Sequence, residues 1–166
     1  MGDSHVGRMY PYRAWLEEHL REVQVNWSWQ GGAGIHWAEQ QVGRTGSYDM
    51  VVLMIGGNDL DNGCSVGQLA NRVEHLANDI IRAGVQAVVI TSLWPRSNTA
   101  YNTNAREYAS VMERRLQGNP LVTFWLWDRR QAWRNYDGVH FLYHGYRQAM
   151  RYLISGIIWM VHHNIW

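Results

Sequence analysis

Four short runs of β-branched, aliphatic and aromatic residues, Val23–Trp29, Tyr48–Ile55, Val85–Leu93 and Leu121–Trp127, are separated by stretches with helical periodicity. Strands that alternate with helices cannot pair as hairpins, so they line up in parallel with crossover helices packed on both faces. The expected fold class is therefore α/β, with a layer of helices on each side of a parallel sheet. The clearest helix opens at Ser65, where Gln68 three residues on completes a capping box. It places Val66, Leu69, Ala70, Val73, Leu76, Ala77, Ile80 and Ile81 on one face and ends at Gly84. A second helix is expected from about Asn104 to Leu116, stopped by Gly118-Asn119-Pro120, and a third from about Gly145 onward, with Met150, Leu153, Ile154, Ile157, Ile158, Val161 and Ile165 in a stripe. A less regular helix is expected from about Gly7 to Leu20, with Pro11 in its opening turn.

At 166 residues the chain has the length of one domain, spanning 1–166, and can bury a core without disulfide staples. Its single cysteine, Cys64, excludes an internal disulfide and fits a reducing, cytoplasmic setting. The net charge of +1 gives no general attraction to nucleic acid. No basic region followed by an apolar run marks a signal peptide at the N-terminus, and the apolar stretch from Tyr152 to Trp166 is too short for a membrane span of about 20 residues.

Three groups of residues carry chemistry. Ser4 lies in Gly2-Asp3-Ser4-His5, and Asp137-Gly138-Val139-His140 lies near the other end of the chain. A serine hydroxyl is a poor nucleophile at neutral pH and needs a base held by a third group, which His140 and Asp137 supply if folding brings them to Ser4. The third group is a set of donors for the oxyanion of a tetrahedral intermediate. The backbone amides of Ser4 and Gly32, the latter in Gly31-Gly32-Ala33-Gly34, and the carboxamide of Asn58 in Gly56-Gly57-Asn58-Asp59 are candidates. Asn58 follows an apolar run, at a strand end of the kind that lines ligand crevices in parallel sheets. The set reads as an acyl-transfer site. His140 and His144 share metal-ligand spacing on a helix face and His162-His163 adds two more imidazoles, but no glutamate follows His140 as a zinc protease motif requires.

Gly-Asp-Ser, then glycine, then Gly-Gly-Asn-Asp, then Asp-x-x-His, in that order over nearly the whole chain, resembles the SGNH hydrolase superfamily, the GDSL-type esterases. The resemblance implies a flavodoxin-like three-layer α/β/α sandwich and hydrolysis of a small-molecule ester or thioester without metal or cofactor, with lipids and acylated carbohydrates both open as substrates. It implies Ser4 as nucleophile, His140 as base, Asp137 as its orienter, and Gly32, chosen over Gly31 as the second of its pair, with Asn58 in the oxyanion hole. Leu93-Trp94-Pro95-Arg96, Tyr101-Asn102 and Phe124-Trp125 are also similar to SGNH-like domains of animal proteins and retroelement-type reading frames. Arg96 is read as a solvated loop arginine, with steering of an anionic substrate as its functional alternative. His5 is read as a neutral surface or capping residue, with lining of the pocket next to Ser4 as its functional alternative.

One departure concerns the strand that the family places before Gly-Asp-Ser, because only Met1 precedes Gly2. Omitting an interior strand separates its neighbours by roughly 10 Å, twice the usual spacing of about 4.8 Å. The expectation is that the chain is a shortened form of a longer protein, or that the sheet closes up and displaces Ser4. The alternative function is a noncatalytic ligand-binding domain that keeps the crevice.

Overall fold

The computed structural model describes residues 1–20, 23–126 and 137–162, the last two of these by backbone alone. Strands β1 (Met50–Leu53), β2 (Ala87–Thr91) and β3 (Val122–Trp125) form a parallel sheet in that order. Val52 pairs with Val89, and Val89 with Thr123. Side chains alternate faces along each strand. Val51, Leu53, Val88, Ile90 and Val122 enter one core with α3 (Ile35–Gln41), α5 (Val66–Arg82) and α6 (Thr99–Leu116). Val89 enters the other core with α1 (Ser4–Met9), α2 (Arg13–His19) and α7 (Tyr143–His162), and Met50 and Val52 pack against it. Two apolar faces on one sheet give the expected α/β/α layering.

Helix α5 forms as its pattern predicts. Ser65 and Gln68 make the reciprocal capping box, Leu69, Val73, Leu76 and Ile80 are buried, and Gly84 at φ +111° closes the helix in the left-handed region. Helix α6 begins five residues before the expected Asn104, because the Asn98 side chain accepts the Tyr101 N–H at 3.0 Å and starts the helix there. Helix α7 starts at Tyr143 and buries Met150, Leu153, Ile154 and Ile157, while the predicted stripe positions Val161 and Ile165 and the strand end at Trp127 lie outside the described side chains. The expected helix from Gly7 to Leu20 is two helices: α1 starts at Ser4, and Pro11 sits in a 3₁₀ turn, Tyr10–Tyr12, that separates it from α2. A proline cannot donate the bond that would continue the first helix.

The run Val23–Trp29 is not a strand. It makes one bridge, Trp29 with Gly2, and Gly2 bridges on its other side to Met54. Residues 1–3 thus occupy the slot between the 23–30 segment and β1, although only at its end. Gly2 N–H donates to Ser28 O at 3.0 Å and Gln30 N–H to Gly2 O at 3.2 Å. Met54 N–H donates to Met1 O at 3.0 Å and Asp3 N–H to Met54 O at 3.4 Å. A Cβ at Gly2 would collide with the Met54 carbonyl and with Val6, so only glycine fits this wedge. The Met1 ammonium donates to Val52 O at 2.7 Å, a ladder position, and its burial lowers its pKa to about 5. Beyond it lies a cavity of about 320 Å³, lined by Val25, Trp27, Met50, Val52 and Leu153 among others. The sheet therefore does not close up, and Ser4 is not displaced. Among the described residues no helix is long and apolar enough to cross a membrane.

Candidate active site

Ser4 is the first residue of α1, immediately after the bridge that pins Gly2, so its position is set by the sheet behind it. Asp3 caps this helix by accepting the His5 N–H at 2.9 Å. The first N–H groups of a helix have no intrahelical partner, which leaves the Ser4 amide at the helix mouth beside its own hydroxyl. Residues 137–142 approach from the other end of the chain. Gly138, at φ +82°, accepts the Ser97 N–H at 2.9 Å and ties this loop to the one that follows β2.

The two ends meet. Ser4 Oγ lies 2.8 Å from His140 Nε2, and His140 Nδ1 lies 2.6 Å from Asp137 Oδ2. The second Asp137 oxygen accepts the backbone N–H groups of Val139 at 2.9 Å and His140 at 2.6 Å, so the carboxylate is fixed within its own turn. Desolvation pushes the Asp137 carboxyl upward. Hydrogen bonds from the His140 backbone, the His140 ring and the Val139 N–H outweigh it, together with the His140 charge, and hold the group well below the usual carboxylate range. An ionised Asp137 can only accept, so Nδ1 carries the ring proton and Nε2 is left as an acceptor facing the Ser4 hydroxyl.

Behind this row, His5 is buried rather than on the surface as expected, although Asp3 caps the helix through its backbone. Its ring stacks on Trp94 with centroids 5.4 Å apart and planes 7° from parallel, stands 5.3 Å from His140, and shares a 2.9 Å hydrogen bond with the Tyr146 hydroxyl. Burial first, then the charges of His140 and Arg96, lower its pKa to about 3, so it is a neutral wall against His140. Asp3, also buried, has its pKa raised by burial to about 6, against the opposing His5 N–H and Arg96 charge.

Asn58 lies in the first turn of a short helix, α4 (Gly57–Asp61), entered through Gly56 at φ +107°. Its Nδ2 donates to Ala33 O at 2.9 Å, and neighbouring Asp59 accepts the Ile35 N–H at 2.9 Å, so the block after β1 holds the glycine turn from both sides. Gly32 is exposed at φ +72°. Its N–H has no hydrogen-bond partner among the described residues.

Arg96 differs from its expected solvated position. Its side chain is 4% exposed, pairs with Asp61 at 2.8 Å and donates to Asn58 Oδ1 at 3.0 Å. The signal for this was positional: Leu93-Trp94-Pro95-Arg96 follows β2 at the carboxyl end of a parallel strand, the edge where such sheets build their sites. His140 precedes α7 whereas His144 lies within it and is exposed, so the two do not share a helix face. His163 lies outside the described residues, as does the side chain of His162.

The family model of GDSL-like lipases and acylhydrolases matches residues 1–148. The chain belongs to that family. Among solved structures, it is similar to a carbohydrate esterase of family 3 from Talaromyces cellulolyticus, at a TM-score of 0.75 and 14% identity, covering 98% of this chain and 96% of that one. It is also similar to a serine-to-alanine mutant of an acetyl esterase with an acetate ion, at a TM-score of 0.66 and 13% identity, covering 95% and 97%. At these identities the likeness is one of fold, and that fold is the flavodoxin-like sandwich expected from the motifs. No curated protein matches the sequence. Family and neighbours together support ester hydrolysis in general.

Proposed function

We propose that this GDSL-family protein is a serine esterase that cleaves a carboxylic ester or thioester through an acyl-Ser4 intermediate. The observation that carries the reading is the continuous Ser4–His140–Asp137 hydrogen-bonded row, at 2.8 and 2.6 Å, drawn from opposite ends of the chain. His140 Nε2 takes the hydroxyl proton as Ser4 Oγ attacks the ester carbonyl, and Asp137 holds the resulting imidazolium. The negative oxygen is met by the amides of Ser4 and Gly32 and the Asn58 carboxamide. Collapse breaks the acyl–oxygen bond of an ester or the acyl–sulfur bond of a thioester, and the alcohol or thiol leaves with the proton from His140. Water then attacks the acyl-serine, giving its proton to His140, and the carboxylate product departs as Ser4 regains its hydrogen. The acetyl esterase neighbour favours short acyl groups as the first substrates to assay.

Turnover of an aryl acetate tests the reading. Wild type releases the aryl alcohol with an initial burst when deacylation is slower than acylation, and Ser4→Ala lowers kcat by at least ~10³-fold. Full turnover in Ser4→Ala, or ester binding with neither burst nor turnover in wild type, contradicts it.

A further inference from the structure

Asn58 can act on an oxyanion only if its carboxamide presents nitrogen and not oxygen to the crevice. Two neighbours decide this. Arg96 Nη2 lies 3.0 Å from Oδ1, and Ala33 O lies 2.9 Å from Nδ2. A guanidinium has donors alone and a backbone carbonyl is an acceptor alone, so reversing the carboxamide would set donor against donor and acceptor against acceptor. One N–H of Nδ2 is used by Ala33, and the other remains for a substrate. A positive charge on Oδ1 also polarises the amide and strengthens that remaining donor.

The arginine is itself held from several sides. Nη1 pairs with Asp61 at 2.8 Å, and the guanidinium lies over the Tyr101 ring at 4.6 Å. Its backbone is clamped by Asn102, which accepts the Arg96 N–H at 2.8 Å and donates to the Arg96 carbonyl at 2.6 Å. A Cβ at Gly57 would stand 3.3 Å from Arg96 Nη2 and 3.0 Å from the Tyr101 hydroxyl, so glycine there lets the guanidinium pass close behind Asn58.

We propose that Arg96 is a positioning residue of the oxyanion hole, locking the Asn58 carboxamide in its donating orientation. The proposal rests on the acyl-Ser4 reading, and its effect runs through Asn58 without contact to substrate. A double-mutant cycle on aryl acetate hydrolysis tests it. Asn58→Ala lowers kcat by about 10²–10³-fold, and Arg96→Ala lowers it by about 10-fold or more with KM moving by less than ~3-fold. Arg96→Lys, which still donates, recovers part of the loss. In the Asn58→Ala background, Arg96→Ala costs no further activity, because the group it orients is gone. Arg96 losses that multiply in full onto Asn58→Ala, or that fall on KM and not on kcat, overturn the proposal. Should Arg96→Ala fail to fold by circular dichroism, Arg96→Lys and Asp61→Asn carry the same cycle, with the same two outcomes. Ser4→Ala in the same series separates the two levels: its full activity would refute the esterase reading, whereas additivity with Ser4→Ala inactive refutes the role of Arg96 alone.

Discussion

Asp3 and His5, on either side of Ser4, are buried with opposite consequences for proton binding. Folded Asp3 keeps its proton up to about pH 6 where its ordinary value is 3.8, so the folded state binds more protons across that window and gains stability as pH falls through it. His5 titrates at about 3 when folded against 6.5 ordinarily, so the folded state binds fewer protons and loses stability as pH falls from 6.5 towards 3. Where the windows overlap, the two slopes oppose each other. Asp3→Asn removes one of them. Relative to wild type, this variant is expected to lose stability as pH drops from about 6 to about 4, by up to about 1.4 kcal/mol per pH unit. Denaturant titrations at stepped pH measure this, and parallel curves for the two proteins contradict it.

At the scale of elements, the first strand position is the odd one, filled at one end by residues 1–3 and left as a cavity of about 320 Å³ along the rest. The ammonium of Met1 sits where a peptide N–H belongs, donating to Val52 O. Because its pKa drops from 8.0 to about 5 on folding, the folded state binds fewer protons between those values, and stability falls as pH falls from 8 to 5. Fusing five alternating apolar and polar residues ahead of Met1 turns the ammonium into an amide, keeps the bond to Val52 and fills the cavity. The extended protein is therefore expected to lose the slope between pH 5 and 8. A slope retained in the extended protein contradicts this account of the slot.

For the molecule as a whole, much of the architecture was legible because its signals are local. The period of α5 states a face and a length, and the apolar runs locate β1 to β3, although each run is longer than its strand. The four motif blocks are visible in the sequence for the same reason, since Ser4, Gly32, Asn58 and the Asp137–His140 pair each lie in a short segment. What escaped was set by partners distant in sequence. Val23–Trp29 has the composition of a strand but lacks a full-length neighbour to pair with, which no local pattern records. Arg96 reads as a surface arginine until Asp61, Tyr101 and Asn58 close around it. His5 reads as exposed until Trp94 and Tyr146 cover it.

The central claim is that folding turns an ordinary serine near one terminus into a nucleophile by setting a histidine from near the other terminus against it. Reaction with a serine-directed aryl phosphonate, followed by intact-mass and peptide mass spectrometry, tests this most directly. The account predicts one adduct, on Ser4, with release of one equivalent of aryl alcohol and a labelling rate that falls steeply in His140→Ala. A protein that hydrolyses esters yet leaves Ser4 unlabelled, or labels Ser4 equally fast without His140, would contradict it.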